Sequence, residues 1–354
     1  MTDIATTEEG DALEVLAALP GAVIVTNPTA WALVEERVGG RQPHFVSSLE
    51  EIALERLHTA VRGRDGDGGR GEDGGPPVVV GIGGGLAMDA AKDLALRTGG
   101  EVVLLPTMLS TLAPFTNDIA RRARRQVQWA GEVSARVVLD LGLIAKAPAA
   151  RNRAGAAEVV ATMPAVWDWR LADDRSIGLP LSARLVELVE RCRTELGAVA
   201  DAVAEASTDG LRTLAELLAA LGAGCARAGL RRPIDGSAHT FVQAYEHRLG
   251  PHPTYGGMLG LGTVAMASLQ AWFGLSAGGP IDPDAAIDLL TRCRVAANPA
   301  QLGLDEGTFR GILRHTVRFA VGESLPYSVL NEADVNWSAS EEMWRQCWRV
   351  PRVA

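Results

Sequence analysis

Cysteine is scarce in this sequence and never paired. Cys192, Cys225, Cys293 and Cys347 stand far apart with no C-x-x-C spacing, which excludes a cysteine-based zinc finger and gives no disulfide framework. No apolar run is long enough to span a bilayer, and the acidic start MTDIATTEEGDALE does not read as a signal peptide. The expected setting is the cytoplasm. Positive charge is in deficit: 34 Lys and Arg stand against 43 Asp and Glu, a net charge of −9. That excludes general binding to nucleic acid or anionic membranes and leaves a small molecule as the expected partner. Imidazole is scarce too. Any metal centre must draw on six residues, His44, His58, His239, His247, His252 and His315. What is abundant is core: 47% of the 354 residues are apolar, enough for one large domain or two smaller ones.

The first part of the chain alternates strand and helix patterns. GAVIVTN (21–27), HFVSS (44–48), PPVVVGIGGG (76–85), EVVLLPT (101–107) and VVLDLGLI (137–144) read as strands. AWALVEERVG, SLEEIALERLHTAVRG with Ser48 as N-cap, and DAAKDLALRTG read as helices. Residues 62–77 form a Gly/Asp-rich surface loop. Strand–helix alternation with continuous apolar strands predicts a parallel sheet covered on both faces. After Pro148 nearly every segment is helical. The expected class is α/β, with a Rossmann-like parallel-sheet domain over 1–148, an all-helical domain over 149–354 and a cleft between them as the small-molecule site. The apolar helices of the C-terminal half leave room for self-association.

Two motifs carry chemistry. In VVVGIGGGLAMDAAKDLA (78–95) a buried strand runs into Gly81, Gly83, Gly84 and Gly85, and a helix starts at once. Glycines let a diphosphate approach the backbone, and the helix N-terminus offers free N–H groups and partial positive charge. The pattern is not G-x-G-x-x-G, since Met88 stands at the last glycine position. Asp89 and Lys92, one turn apart, serve the site or form a surface ion pair. In LLPTMLSTLAPFTND (104–118) a strand ends at Pro106, and Thr107, Ser110, Thr111 and Thr116 follow in a loop at the carboxyl edge of the sheet, where α/β proteins bind ligands. Arg121, Arg122, Arg124 and Arg125 form a basic run; a solvated hairpin is the plainer reading, attraction of a phosphorylated or carboxylated substrate the sharper one.

GIGGGLAMDAAK, then PTMLST, then VVLDLGLIAKAP, resembles the iron-containing alcohol dehydrogenase and dehydroquinate synthase superfamily. AGAAEVVATMPAVWDWRLA (154–172), DGSAHTFVQAYEHRLGPHPTYGGMLGLGT (235–263) and PYSVLN (326–331) are similar to segments of its glycerol-1-phosphate dehydrogenases. The resemblance covers residues 21–331. It implies NAD(P)-linked reduction of a small carbonyl compound, with phosphorylated substrates common, and a divalent zinc or iron ion. It also implies cofactor contacts from Gly83, Gly84, Gly85, Asp89, Lys92, Thr107, Ser110 and Thr111. NAD-specific relatives carry an Asp at the end of the first strand, where this chain has Asn27. A neutral amide there removes the repulsion of a 2′-phosphate and predicts weaker discrimination against NADP.

The resemblance also implies metal ligands at Glu158, His239 and the position of Tyr255. The departures concentrate there. Tyr255 replaces a His, Ala238 replaces a Glu, Pro326 and Asn331 replace an Arg and a His, and the S-H-D-G of the substrate loop is missing. Three readings fit. A metal is held by Glu158 and His239 with Tyr255, His247 or His252, a phenolate suiting iron(III) better than zinc. Or no metal is bound, and Tyr255 donates a proton to the carbonyl oxygen with His239 as its partner. Or catalysis is lost and the fold serves as a binding or partner protein. A lyase or cyclase related to dehydroquinate synthase, also using NAD, is the enzyme alternative.

Overall fold

The computed structural model describes residues 5–64, 75–274 and 281–353. Most of the expected Gly/Asp-rich loop lies outside them. The chain divides into Met1–Pro148 and Ala149–Ala354.

The first unit has strands β1 (Thr6–Glu9), β2 (Val23–Thr26), β3 (His44–Phe45), β4 (Val79–Gly83), β5 (Val102–Pro106), β6 (Asp118–Ala123), β7 (Gln126–Glu132) and β8 (Arg136–Leu139), and helices α1 (Ala12–Ala18), α2 (Pro28–Trp31), α3 (Glu51–Arg64), α4 (Gly85–Thr98) and α5 (Leu141–Ile144). Six strands pair in parallel in the order β1-β8-β5-β4-β2-β3. β4 and β5 sit centrally and are buried at every residue, which is why their sequences are continuously apolar. Ile24, Val80, Ile82, Val103, Leu105 and Val138 bury one face of the sheet against Val15, Leu16, Trp31 and Val34. Gly83 pairs with Pro106, so β4 and β5 end level, and Thr107 N–H donates to the Gly83 carbonyl at 2.9 Å. That register brings the glycine turn and the threonine loop to the same sheet edge.

Several boundaries differ from the sequence reading. β1 was absent from it, because TTEE is polar and fully exposed; it is an edge strand completed only by pairing with β8. HFVSS contributes just two residues of strand. AWALVEERVG splits into α2 and a separate 3₁₀ turn at Glu35–Arg37. Ser48 accepts from the Glu50 N–H at 3.0 Å and closes the turn ahead of α3 rather than capping it. The basic run is a hairpin: β6 and β7 pair antiparallel, with Arg124 and Arg125 at its tip at φ 52° and 65°.

The second unit contains α6 (Ala149–Arg153), α7 (Ala156–Asp174), α8 (Ala183–Ala204), α9 (Thr208–Ala228), α10 (Ser237–Leu249), α11 (Tyr255–Phe273), α12 (Pro283–Arg292), α13 (Glu306–Gly322) and α14 (Trp337–Cys347). α11 is buried from Gly256 to Gln270, matching its apolar character all round. Its start lies directly on the backbone before α7: a Cβ on Gly256 would sit 2.5 Å from the Ala154 carbonyl oxygen and 2.7 Å from its Cα. Backbone cannot yield as a side-chain tip can. Gly256→Ala is therefore expected to lower stability by about 1–3 kcal/mol, read as a lower urea midpoint at unchanged slope; an unchanged midpoint would show that the helices separate freely there. Among the described residues no helix is long and apolar enough to cross a membrane.

Candidate active site

β4 ends at Gly83, whose φ of 146° suits glycine, and α4 begins one residue past Gly84, with no side chain capping that turn among the described residues. Ala87 N–H turns back to the Gly84 carbonyl at 3.0 Å, which leaves the N–H groups of Gly85 and Leu86 for a ligand or water. A side chain at Gly85 would collide with the surroundings, and one at Gly83 or Gly84 would crowd them. A Cβ on Gly85 would lie 2.8 Å from Thr111 Cγ2, one on Gly84 3.3 Å from Met108 Sδ, and one on Gly83 3.0 Å from Ala87 Cβ and 3.2 Å from Asn27 Nδ2. Asn27, the three glycines and Thr111 therefore share one neighbourhood. Asn27 Oδ1 accepts from Ala30 N–H at 3.0 Å and caps α2. Thr107 is buried, while Ser110 and Thr111 are part-exposed.

Asp89 and Lys92 form an ion pair at 2.8 Å with the Lys92 side chain wholly buried. Lys92 Nζ also donates to the carbonyls of Ala113 at 3.0 Å, Thr116 at 3.2 Å and Asp118. All its donors are thus directed to protein. The resemblance implied a cofactor contact here; the structure gives Lys92 the different task of holding the loop after Thr111 against α4. Asp93, unremarked in the sequence, pairs with Arg97 at 2.7 Å and with Arg121. Arg121 is thereby tied to α4, which leaves the basic run less able to attract a distant anion.

In the second unit, Glu158 in the first turn of α7 and His239 in the first turn of α10 are both buried, with Nε2 and Oε2 3.2 Å apart. Burial alone would lower the imidazole pKa, but the Glu158 hydrogen bond and charge outweigh it and raise it. His239 Nδ1 is buried without a hydrogen-bond partner among the described residues. Tyr255 opens α11. Burial pushes its phenol well above 10, and the charges of Glu158, Asp235 and Glu246 push the same way. Its ring packs 5.6 Å from that of His252, which pairs with Glu246 at 3.0 Å. His247 stacks on His315 with ring nitrogens 3.0 Å apart. His252 and His247 are thus engaged with partners other than Glu158 and His239. Asn331 accepts from Ser328 N–H at 2.9 Å and closes a 3₁₀ turn at Val329–Asn331.

These donors do not fit a resident divalent ion. Among the described residues no group of three His, Cys, Asp or Glu side chains could hold a metal. Glu158 and His239 supply two donors, and the third position holds a phenol in place of an imidazole. No chemical step is therefore assigned to a metal.

No family model matches the sequence. The chain is 29% identical over 230 residues to the glycerol-1-phosphate dehydrogenase [NAD(P)+] of Aeropyrum pernix, covering 64% of this chain and 60% of that protein. It is 28% identical over 275 residues to the glycerol-1-phosphate dehydrogenase [NAD(P)+] of Hyperthermus butylicus, covering 76% of this chain and 74% of that protein. In structure it matches a probable glycerol dehydrogenase from Sinorhizobium meliloti 1021 with TM-score 0.69 and 16% identity, covering 98% of this chain and 96% of that one. It matches an iron-containing alcohol dehydrogenase from Corynebacterium glutamicum with TM-score 0.68 and 12% identity, covering 99% and 95%. The curated relatives are glycerol-1-phosphate dehydrogenases, and the fold is that of the iron-containing alcohol dehydrogenases: a parallel-sheet unit followed by a helical one.

Proposed function

We propose that this chain, with glycerol-1-phosphate dehydrogenases as its curated relatives, is an NAD(P)-dependent oxidoreductase of that type. It would move a hydride between nicotinamide and a small carbonyl compound or its alcohol. The observation that carries the reading is the turn from β4 into α4, where three glycines and an uncapped helix start meet Asn27 and Thr111. A nicotinamide, when bound, would supply the hydride. This chain's residues do the rest. Gly83, Gly84 and Gly85 admit the diphosphate to the α4 N-terminus. Lys92 and Asp89 brace the loop bearing Thr107, Ser110 and Thr111. His239, whose imidazole pKa Glu158 raises, would supply the proton that the carbonyl oxygen takes up as it is reduced, and the Tyr255 phenol is a second donor at the start of α11.

The test is a fluorescence titration with NADH and NADPH, followed by turnover on a panel of small carbonyl compounds. Dissociation constants in the range of about 1 μM to 1 mM are expected for both cofactors, within roughly tenfold of each other. No binding at millimolar concentration would overturn the reading. Asn27→Asp sharpens the cofactor expectation. Aspartate caps a helix as well as asparagine does, so α2 is preserved and only charge changes. NADPH affinity should drop about tenfold, a repulsion of about 1.4 kcal/mol, with NADH affinity held or improved; equal losses for both would mean that residue 27 does not face the ribose.

A further inference from the structure

We infer that Asp168 is a positioning residue, an anchor within α7 that fixes the first turn of α10 so that His239 meets Glu158. The side chain is wholly buried. Its Oδ2 accepts from the backbone N–H of Ser237 at 2.8 Å, the residue that opens α10 two positions before His239. Its Oδ1 accepts from Val329 N–H at 2.9 Å and from Gln270 Nε2 at 3.0 Å. One carboxylate therefore ties together α7, α10, α11 and the 3₁₀ turn at Val329–Asn331. Gly236 makes the approach possible: a Cβ there would lie 2.5 Å from Ala165 Cα and 3.1 Å from Asp168 Oδ2.

The geometry has a lever in it. Glu158 and Asp168 stand on the same helix, near its start and past its middle. Glu158 contacts His239 while Asp168 holds the turn on which His239 stands. An anionic acceptor at a helix N-terminus is also electrostatically favoured there. Burial pushes the Asp168 carboxyl up, opposed by the hydrogen bonds from Ser237 and Val329 and by the charge of Arg232. Replacing one carboxylate oxygen by an amide NH2 sets donor against donor, at Ser237 or at Val329 and Gln270, and frees α10 to shift; a shift of about 1 Å at a reacting group costs roughly 100-fold in rate.

The catalytic part of this inference rests on the oxidoreductase reading, so the experiment has an arm that does not. Wild type, Asp168→Asn and Gln270→Met are compared for NAD(P)H affinity, KM, kcat and amide hydrogen exchange. Asp168→Asn is expected to keep cofactor affinity and KM within about twofold while kcat falls roughly 100-fold. Exchange should quicken at residues 237–240 and 329–331 and stay slow in α8 and α9. Gln270→Met removes one donor and leaves the Ser237 bond, so kcat should fall by less than about tenfold. Should Asp168→Asn fail to fold, Gln270→Met carries the test: with the Ser237 bond intact, protection at 237–240 should hold and kcat fall by less than about tenfold, and a fall of roughly 100-fold with that protection intact would overturn the positioning role. An unchanged kcat, or kcat and KM changing together while exchange quickens everywhere, overturns the positioning role. A wild type that binds no NAD(P)H or reduces no carbonyl overturns the oxidoreductase reading instead. In that case unchanged protection at 237–240 overturns the Asp168 anchor, and quickened exchange confined there upholds it.

Discussion

Lys92→Met is expected to cost about 3–5 kcal/mol of stability, the range for removing one member of a buried ion pair. The magnitude follows from what stays behind. Asp89 is left as a buried carboxylate, 6% exposed, without its cation at 2.8 Å. The carbonyls of Ala113, Thr116 and Asp118 lose their shared donor at the same time. Methionine fills the volume but donates nothing, so the deficit is electrostatic and not a cavity. The loop from Thr107 to Asp118 should loosen, and NAD(P)H affinity should fall with it. Equilibrium urea unfolding followed by far-UV circular dichroism measures the first effect and cofactor titration the second. A loss under about 1 kcal/mol would mean that solvent reaches the pair, as at surface ion pairs.

The second large effect concerns the acid pair. His239→Ala should lower kcat roughly 100- to 1,000-fold, within the range for loss of a general acid, while NAD(P)H affinity in the first unit holds. Glu158→Gln offers the finer test. The carboxylate is what keeps the folded imidazole above its ordinary pKa, against the effect of burial. With glutamine in its place, the basic limb of the kcat profile should move to lower pH. The sign for stability is fixed by the same shift. A His with a raised folded pKa contributes stability that is full below its unfolded value, near 6.5, and is lost as pH rises through the folded value. Glu158→Gln should therefore destabilise most at acid pH and least in the alkaline range. A destabilisation independent of pH would show that the imidazole is neutral in the wild type.

Legibility followed sequence separation. β4 and the start of α4 could be read because burial on both faces demands an unbroken apolar run, and a close ligand approach demands glycine; both requirements fall within about ten adjacent residues. The hairpin of β6 and β7 was legible in outline from a polar, basic stretch. β1 was not, since an exposed TTEE segment shows no hydrophobic pattern and its partner β8 lies some 130 residues on in the chain. Lys92 was half legible: its i,i+3 spacing from Asp89 suggests an ion pair, while the carbonyls that consume it lie 21 to 26 residues away.

The site divides the same way. Glu158, His239 and Tyr255 were singled out by their motifs, but the partners of His247 and His252 were settled by the packing of α10 against α13 and by the turn leading into α11. Asp168 carries no such signal, because a carboxylate in an apolar helix declares its role only when its acceptor oxygens are seen to meet N–H groups 69 and 161 residues away. The α/β class, the glycine turn and the helical second half follow from periodicity and local backbone freedom, which are properties of neighbouring residues. Which polar side chains face one another is a matter of packing, because a buried donor or acceptor must find whatever partner is brought within about 3 Å, however far off it lies in the chain.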